Sequence, residues 1–174
     1  MSLHYIIGDA TEPIKKPSVI AHCCNDANLW GAGFVVALRN KFPKSETAYH
    51  NWFNNQSDPC YKGIKPELGN CQIVDVAPEI FVANIIGQHG IGYIGKTPPI
   101  RYDALEKGLI TAYLFAQERK AIMAMPRLGA VLAGGEWDVL EDIIKKVMTV
   151  ETYVYTLPNQ AWKWKNTYEG IYTN

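Results

Sequence analysis

A chain of 174 residues, 48% of them hydrophobic, can bury a core of its own, which argues against disorder and predicts a single domain over 1–174. Seventeen basic side chains balance seventeen acidic ones, so net charge exerts no pull on polyanions, and no nucleic-acid partner is expected. No apolar run reaches membrane-spanning length and no signal peptide is visible, so no membrane partner is expected. The cysteines Cys23, Cys24, Cys60 and Cys71 form no CxxC pair, which predicts no metal site and a reduced, cytoplasmic setting.

Leu3 to Ile7 reads as a first strand, closed by Gly8-Asp9. Val19 to His22 is a second apolar run of strand length. Ala32 to Lys41 has the spacing of a helix, with Val35 and Leu38 on one face and a stop before Pro43. Ser45 is placed as the N-cap of a second helix whose stripe is Tyr49, Trp52 and Phe53. Residues 55–70 are rich in Asn, Gly and Pro and read as loop. Cys71 to Val76 and Ile80 to Ile86 are strands joined at Pro78-Glu79. Residues 87–99 form a second Gly/Pro-rich loop. Tyr102 to Arg119 is a helix with Leu105, Leu109, Ala112 and Ala116 at helical spacing. Ala121 to Met125 is a short strand, and 126–135 is a third glycine-rich loop. Trp137, Leu140, Ile144 and Val147 mark the next helix, and Thr152 to Leu157 the last strand. Strands alternating with helices predict an α/β sheet covered on both faces.

Three polar or glycine-rich loops, 23–33, 87–99 and 126–135, each follow a strand. Open α/β sheets bind ligands at the carboxyl ends of their strands. Gly31 and Gly33, between a strand and a helix, let backbone amides approach phosphate. The spacing is neither the dinucleotide fingerprint nor a Walker loop. Each residue also has a plainer reading. Asp9 is a turn residue or a ligand carboxylate. The two glycines are a tight connection or a phosphate loop. His22 is a satisfied core histidine or an acid–base group. His89 is an exposed loop residue or part of the site. Cys24 reads as a buried thiol. Trp162 and Trp164, beside Lys163 and Lys165, are an aromatic tail on the core or a base-stacking platform.

Gly8-Asp9-Ala10-Thr11, His22 to Gly33 and Met125 to Trp137 resemble, in order, the three ligand motifs of the macro domain family. The small single-domain branch is the nearest in pattern, with its ADP-ribose-1''-phosphate phosphatases and terminal ADP-ribose protein glycohydrolase. The resemblance implies a three-layer α/β/α sandwich around a mixed sheet of about six strands. It implies that the chain binds ADP-ribose and needs no cofactor. Asp9 would accept the adenine amino group and Ala10 would reach the adenine ring. Gly31, Ala32 and Gly33 would line the diphosphate on one side, and Gly129, Ala130, Val131 and Leu132 on the other. Asn25 would hydrogen-bond the distal ribose, and Gln88 is counted among the ADP-ribose-binding residues. His22 and Asn25 become the catalytic candidates for hydrolysis of ADP-ribose-1''-phosphate. Two departures set the glycohydrolase chemistry aside. Where that branch has a lysine after the central strand, Ile86-Gly87-Gln88-His89 has none, and Ala133 falls where it has an aspartate. The rival readings are a non-catalytic reader of ADP-ribose or of ADP-ribosylated macromolecules, and a hydrolase of ADP-ribosyl or O-acyl-ADP-ribose esters.

Overall fold

A computed structural model describes residues 1–56, 63–165 and 168–171. Cys60 and the middle of the loop expected over 55–70 lie outside the described residues. The strands are β1 Leu3–Ile7, β2 Ser18–Asn25, β3 Cys71–Ala77, β4 Ile80–Gln88, β5 Ile122–Met125, β6 Thr152–Thr156 and β7 Gly170–Ile171. The helices are α1 Phe34–Lys41, α2 Pro43–Asn54, α3 Tyr102–Glu118 and α4 Trp137–Val147. A 3₁₀ turn over Pro158–Lys163 follows β6.

The sheet order is β3-β4-β2-β5-β6-β1-β7. Every pairing is parallel except β3 with β4, so the sheet is mixed, as expected. It holds seven strands, the seventh being only the two-residue β7 beside Ile6 and Ile7. Alternation along the strands builds a core on each face. On one face Val19, Ala21, Ile85 and Met123 meet Leu105, Leu109 and Tyr113 of α3 and Leu140 and Ile144 of α4. On the other, Ile20, Val82, Ile86 and Ala124 meet Leu38 of α1 and Tyr49 and Trp52 of α2. This is the three-layer sandwich.

Two local expectations change. Ser45 is not an N-cap. The N-cap is Phe42 and helix α2 starts three residues earlier, because Pro43 fits the first helical position, where its fixed φ helps and its missing N–H costs nothing. Ser45 is instead buried inside the first turn, its hydroxyl donating to the Phe42 carbonyl at 2.7 Å. Strand β2 runs on through the polar residues to Asn25, because β4 pairs with it over that whole length.

Candidate functional site

A cleft of about 850 Å³ opens at the carboxyl ends of β1, β2, β4, β5 and β6. A bulge shapes its floor. Cys24 pairs with Ile86 but Asn25 pairs with Gln88, so Gly87 is the extra residue on β4. A side chain at Gly87 would meet Cys23 Sγ at 2.8 Å, so the bulge needs glycine. Beyond it Asn25 and Gln88 both line the cleft.

The first loop is built around Asn25. Its Oδ1 accepts from the amides of Ala27 (3.0 Å) and Leu29 (3.2 Å), and the Tyr49 hydroxyl lies 3.0 Å away. Its Nδ2 donates to the Leu29 carbonyl at 2.8 Å. The Asn25 amide is thus the knot of the loop. Gly31, Ala32, Gly33, Phe34 and Val35 follow along one wall. Gly33 caps α1 with φ 80°; no side chain caps the helix and no acidic residue occupies its first turn. That leaves helix-start N–H groups, at the positive end of the dipole, beside the cleft.

The opposite wall is the 126–135 loop, with Gly129, Val131, Leu132 and Ala133 along the cleft. The Gly135 amide closes this loop on the Gly129 carbonyl at 2.8 Å. A Cβ on Gly33 would stand 2.9 Å from Leu132 Cδ1, so the two walls nearly touch there. Ala130, expected in this wall, is not among the lining residues. Its amide is occupied by the Arg127 carbonyl at 3.2 Å, and its methyl packs on the α3/α4 core. The loops are also joined to each other. The Asp26 carboxylate holds the Gly90 amide at 2.8 Å and His89 Nδ1 at 2.7 Å, and the Ile100 amide donates to Ala133 at 3.0 Å.

Asp9 and Ala10 line one end. Asp9 is also the turn residue of the plainer reading: its Oδ1 accepts from the Thr11 amide and hydroxyl, both at 2.8 Å. Sequence reasoning missed Arg127, Tyr155 and Gln160, which also line the cleft, and weighed Trp164 only as a tail or a stacking platform. Gln160 and Trp164 follow β6, so the carboxyl-end rule could have found them. Arg127 is 7% exposed and stacked among aromatic rings, its Cζ 4.3 Å from the centre of Trp164, 4.9 Å from Trp137 and 5.0 Å from Tyr5. Trp164 therefore packs as the tail reading expected, whereas Trp162 stands in solvent, 81% exposed.

His22 has the environment of a core histidine. It is 2% exposed, on the α1/α2 face, with the rings of Trp30 and Phe34 at 5.2 and 6.0 Å. Asn84 directs both its amide hydrogens elsewhere, to Ser45 O (3.2 Å) and Gln72 Oε1 (3.0 Å). Its Oδ1 must then accept, so His22 carries a proton on Nε2, 2.5 Å away. Burial pushes the imidazole pKa down to about 4, against the pull of that hydrogen bond, and keeps the ring neutral near pH 7. Burial likewise pushes the Cys23 thiol up to about 12 and raises Cys24 well above the ordinary range, so neither is a ready nucleophile. Among the described lining residues, only Asp9 and Arg127 carry charge at neutral pH. No cluster of three or more metal-ligating side chains occurs among the described residues.

Solved structures share this architecture. A Bacteroides thetaiotaomicron protein of unknown function is 44% identical, the match covering 90% of this chain and 99% of that one, with a TM-score of 0.83. A macrodomain protein from Streptomyces coelicolor is 37% identical over 89% of this chain and 99% of that one, with a TM-score of 0.75. Among curated proteins, chromodomain-helicase-DNA-binding protein 1-like of Mus musculus is 26% identical over 90% of this chain, and the chain spans only 18% of that relative's length. An ADP-ribose 1''-phosphate phosphatase of Scheffersomyces stipitis is 28% identical over 89% of this chain and 99% of its own. No family profile matches the chain.

Proposed function

The chain belongs to the macrodomain family, and from that premise we propose that its cleft binds ADP-ribose. The observation that carries this is the pair of glycine-bearing walls, 31–33 and 129–133, facing each other beside the uncapped start of α1. Backbone amides and a helix dipole suit a diphosphate in a cleft that offers no exposed cation. Asp9 then takes the adenine amino group through Oδ2, with Ala10 beside the ring. Gly31, Ala32, Gly33, Gly129, Val131 and Leu132 line the diphosphate. Gln88 meets the distal ribose, while Asn25 acts chiefly by holding the loop. Such a site can read free ADP-ribose or ADP-ribosylated macromolecules without turnover.

A second reading is hydrolysis of ADP-ribose 1''-phosphate, favoured by the nearly full-length match to the fungal phosphatase. His22 lines the cleft but is poorly suited as its acid or base, because its Nε2–H is committed to Asn84 and burial keeps it neutral. A water held by Asn25 and the 87–90 loop is the alternative. Isothermal titration with ADP-ribose tests the first reading, and failure to bind overturns it. Phosphate release from ADP-ribose 1''-phosphate tests the second, with an O-acyl-ADP-ribose ester as the comparison substrate. Binding with neither product formed leaves a reader.

A further inference from the structure

His4 stands on β1 at the edge of the sheet, between carboxylates from two other segments. Its Nε2 is 2.5 Å from Glu151, just before β6, and its Nδ1 is 2.6 Å from Glu169, just before β7. The ring lies against Tyr153 of β6, centres 4.7 Å apart and planes at 18°. A neutral imidazole has one N–H and would turn a lone pair on one of the two carboxylates. Two contacts this short call for the imidazolium. The other charges nearby are Lys15, whose Nζ lies 5.7 Å from the Tyr153 ring centre, and the chain's α-amino group, which acts on Glu151. The Ser2 amide also donates to Glu151, at 2.9 Å. Burial works against the charge on His4, but the hydrogen bonds to Glu151 and Glu169 outweigh it and raise the pKa above 6.5.

Described contacts link Glu169 to the cleft wall. Its amide donates to Tyr5 O at 2.9 Å. Its neighbour Tyr168 accepts from Arg127 Nη2 at 3.4 Å. Arg127 in turn carries Trp164, and Trp164 and Gln160 line the cleft.

We propose that His4 is a proton-operated clasp on the ligand site. Protonated, it ties Glu169 to β1 and holds the Trp164 wall in place. Deprotonated, it keeps one carboxylate and releases the other, and the wall loosens. The clasp is therefore closed below pH 6.5 and opens as pH rises through the raised pKa of His4. Its effect on affinity rests on the ADP-ribose reading; the clasp itself does not.

The test follows tryptophan emission and amide exchange of the full chain from pH 5.5 to 9, for wild type, His4→Gln and Glu169→Gln. His22 titrates far below this window, and His50 and His89 are controlled by the His4→Gln variant. Wild type should show one step in emission centred above pH 6.5. Across it, exchange at the Glu169 amide, divided by the intrinsic rate at each pH, should accelerate about two- to fivefold, the range of a partly exposed ion pair. His4→Gln should lack the step, and Glu169→Gln should move its midpoint down. A flat wild-type profile, or the same step in His4→Gln, overturns the clasp. If His4→Gln does not fold, an unchanged midpoint in Glu169→Gln overturns it equally. ADP-ribose titrated on both sides of the step should bind more weakly above it. If ADP-ribose binds at neither pH, the ligand reading falls and emission and exchange still decide the clasp.

Discussion

Asp9 combines two roles that a sequence reader would set against each other. One carboxylate oxygen holds the Thr11 turn, and the side chain still lines the cleft. The roles separate by substitution. Asp9→Asn keeps an acceptor for Thr11 and removes the charge. It should weaken ADP-ribose binding by about 1.5–3 kcal/mol, the scale of a hydrogen bond to a charged group, with little change in melting temperature. Asp9→Ala should weaken binding equally and also lower stability by about 1 kcal/mol. Calorimetric titration and thermal melts on both variants check this. His22 behaves differently. His22→Ala leaves the Asn84 oxygen buried without a donor, so stability should fall by about 2–3 kcal/mol. Any turnover per folded molecule should stay far from the 10²–10⁴-fold loss, roughly, that removal of an acid–base group brings. The pH dependence follows from the same burial. Between pH 6.5 and about 4 the unfolded chain protonates His22 and the folded one does not. The stability His22 contributes is therefore complete above 6.5 and is lost as pH falls toward 4, about 3 kcal/mol in all. Denaturant melts of wild type and His22→Gln over that range should show the steeper fall in wild type, because the carboxylates held low in the fold, Asp26, Glu46, Glu141 and Glu151, give both proteins a common acid slope.

At the scale of the elements, the two glycines of the first loop prove unequal. Gly33 has φ 80°, so any side chain there is strained before it meets Leu132. A Gly33 variant loses stability whether or not a ligand exists. Gly31 has nothing within 4 Å of its Cβ direction. Gly31→Val should melt within about 1 °C of wild type, as surface changes do, and yet bind ADP-ribose at least tenfold more weakly if phosphate approaches that backbone. Normal binding would make Gly31 merely a connection. The strands and helices were legible because each is a local apolar pattern of sufficient length. The first ligand loop was legible because its polar residues interrupt that pattern. What stayed hidden depends on partners far along the chain. The bulge at Gly87 appears only when β2 and β4 pair. The capture of the Ala130 amide by Arg127 needs the closed loop. Pro43 reads locally as a stop for α1, and its second use, as the start of α2, shows only once Ser45 is buried inside the first turn.

At the scale of the molecule, the cleft draws on loops after five strands, from Gly8 to Trp164. No contiguous fragment contains it, which is why single motifs were ambiguous and their convergence was informative. His22 and His4 pull stability in opposite directions with pH, the first lost on the acid side and the second on the alkaline side. The fold should therefore be firmest near pH 6.5, between the two.

Among the described residues, the two-residue strand β7 pairs with Ile6 and Ile7 alone, and the Glu169 amide occupies the Tyr5 carbonyl. Among the described residues, this thin strip is what separates that rim of the seven-stranded sheet from other copies of itself. An open edge is a template for another strand, and proteins guard such edges with short strands and charges. Here the guard is the strip together with the His4, Glu151 and Glu169 cluster. A chain ending at Lys165 would present all of Leu3–Ile7 unpaired on that side. It should self-associate in a concentration-dependent way, read by light scattering, while His4→Gln, which keeps the strip, stays monodisperse.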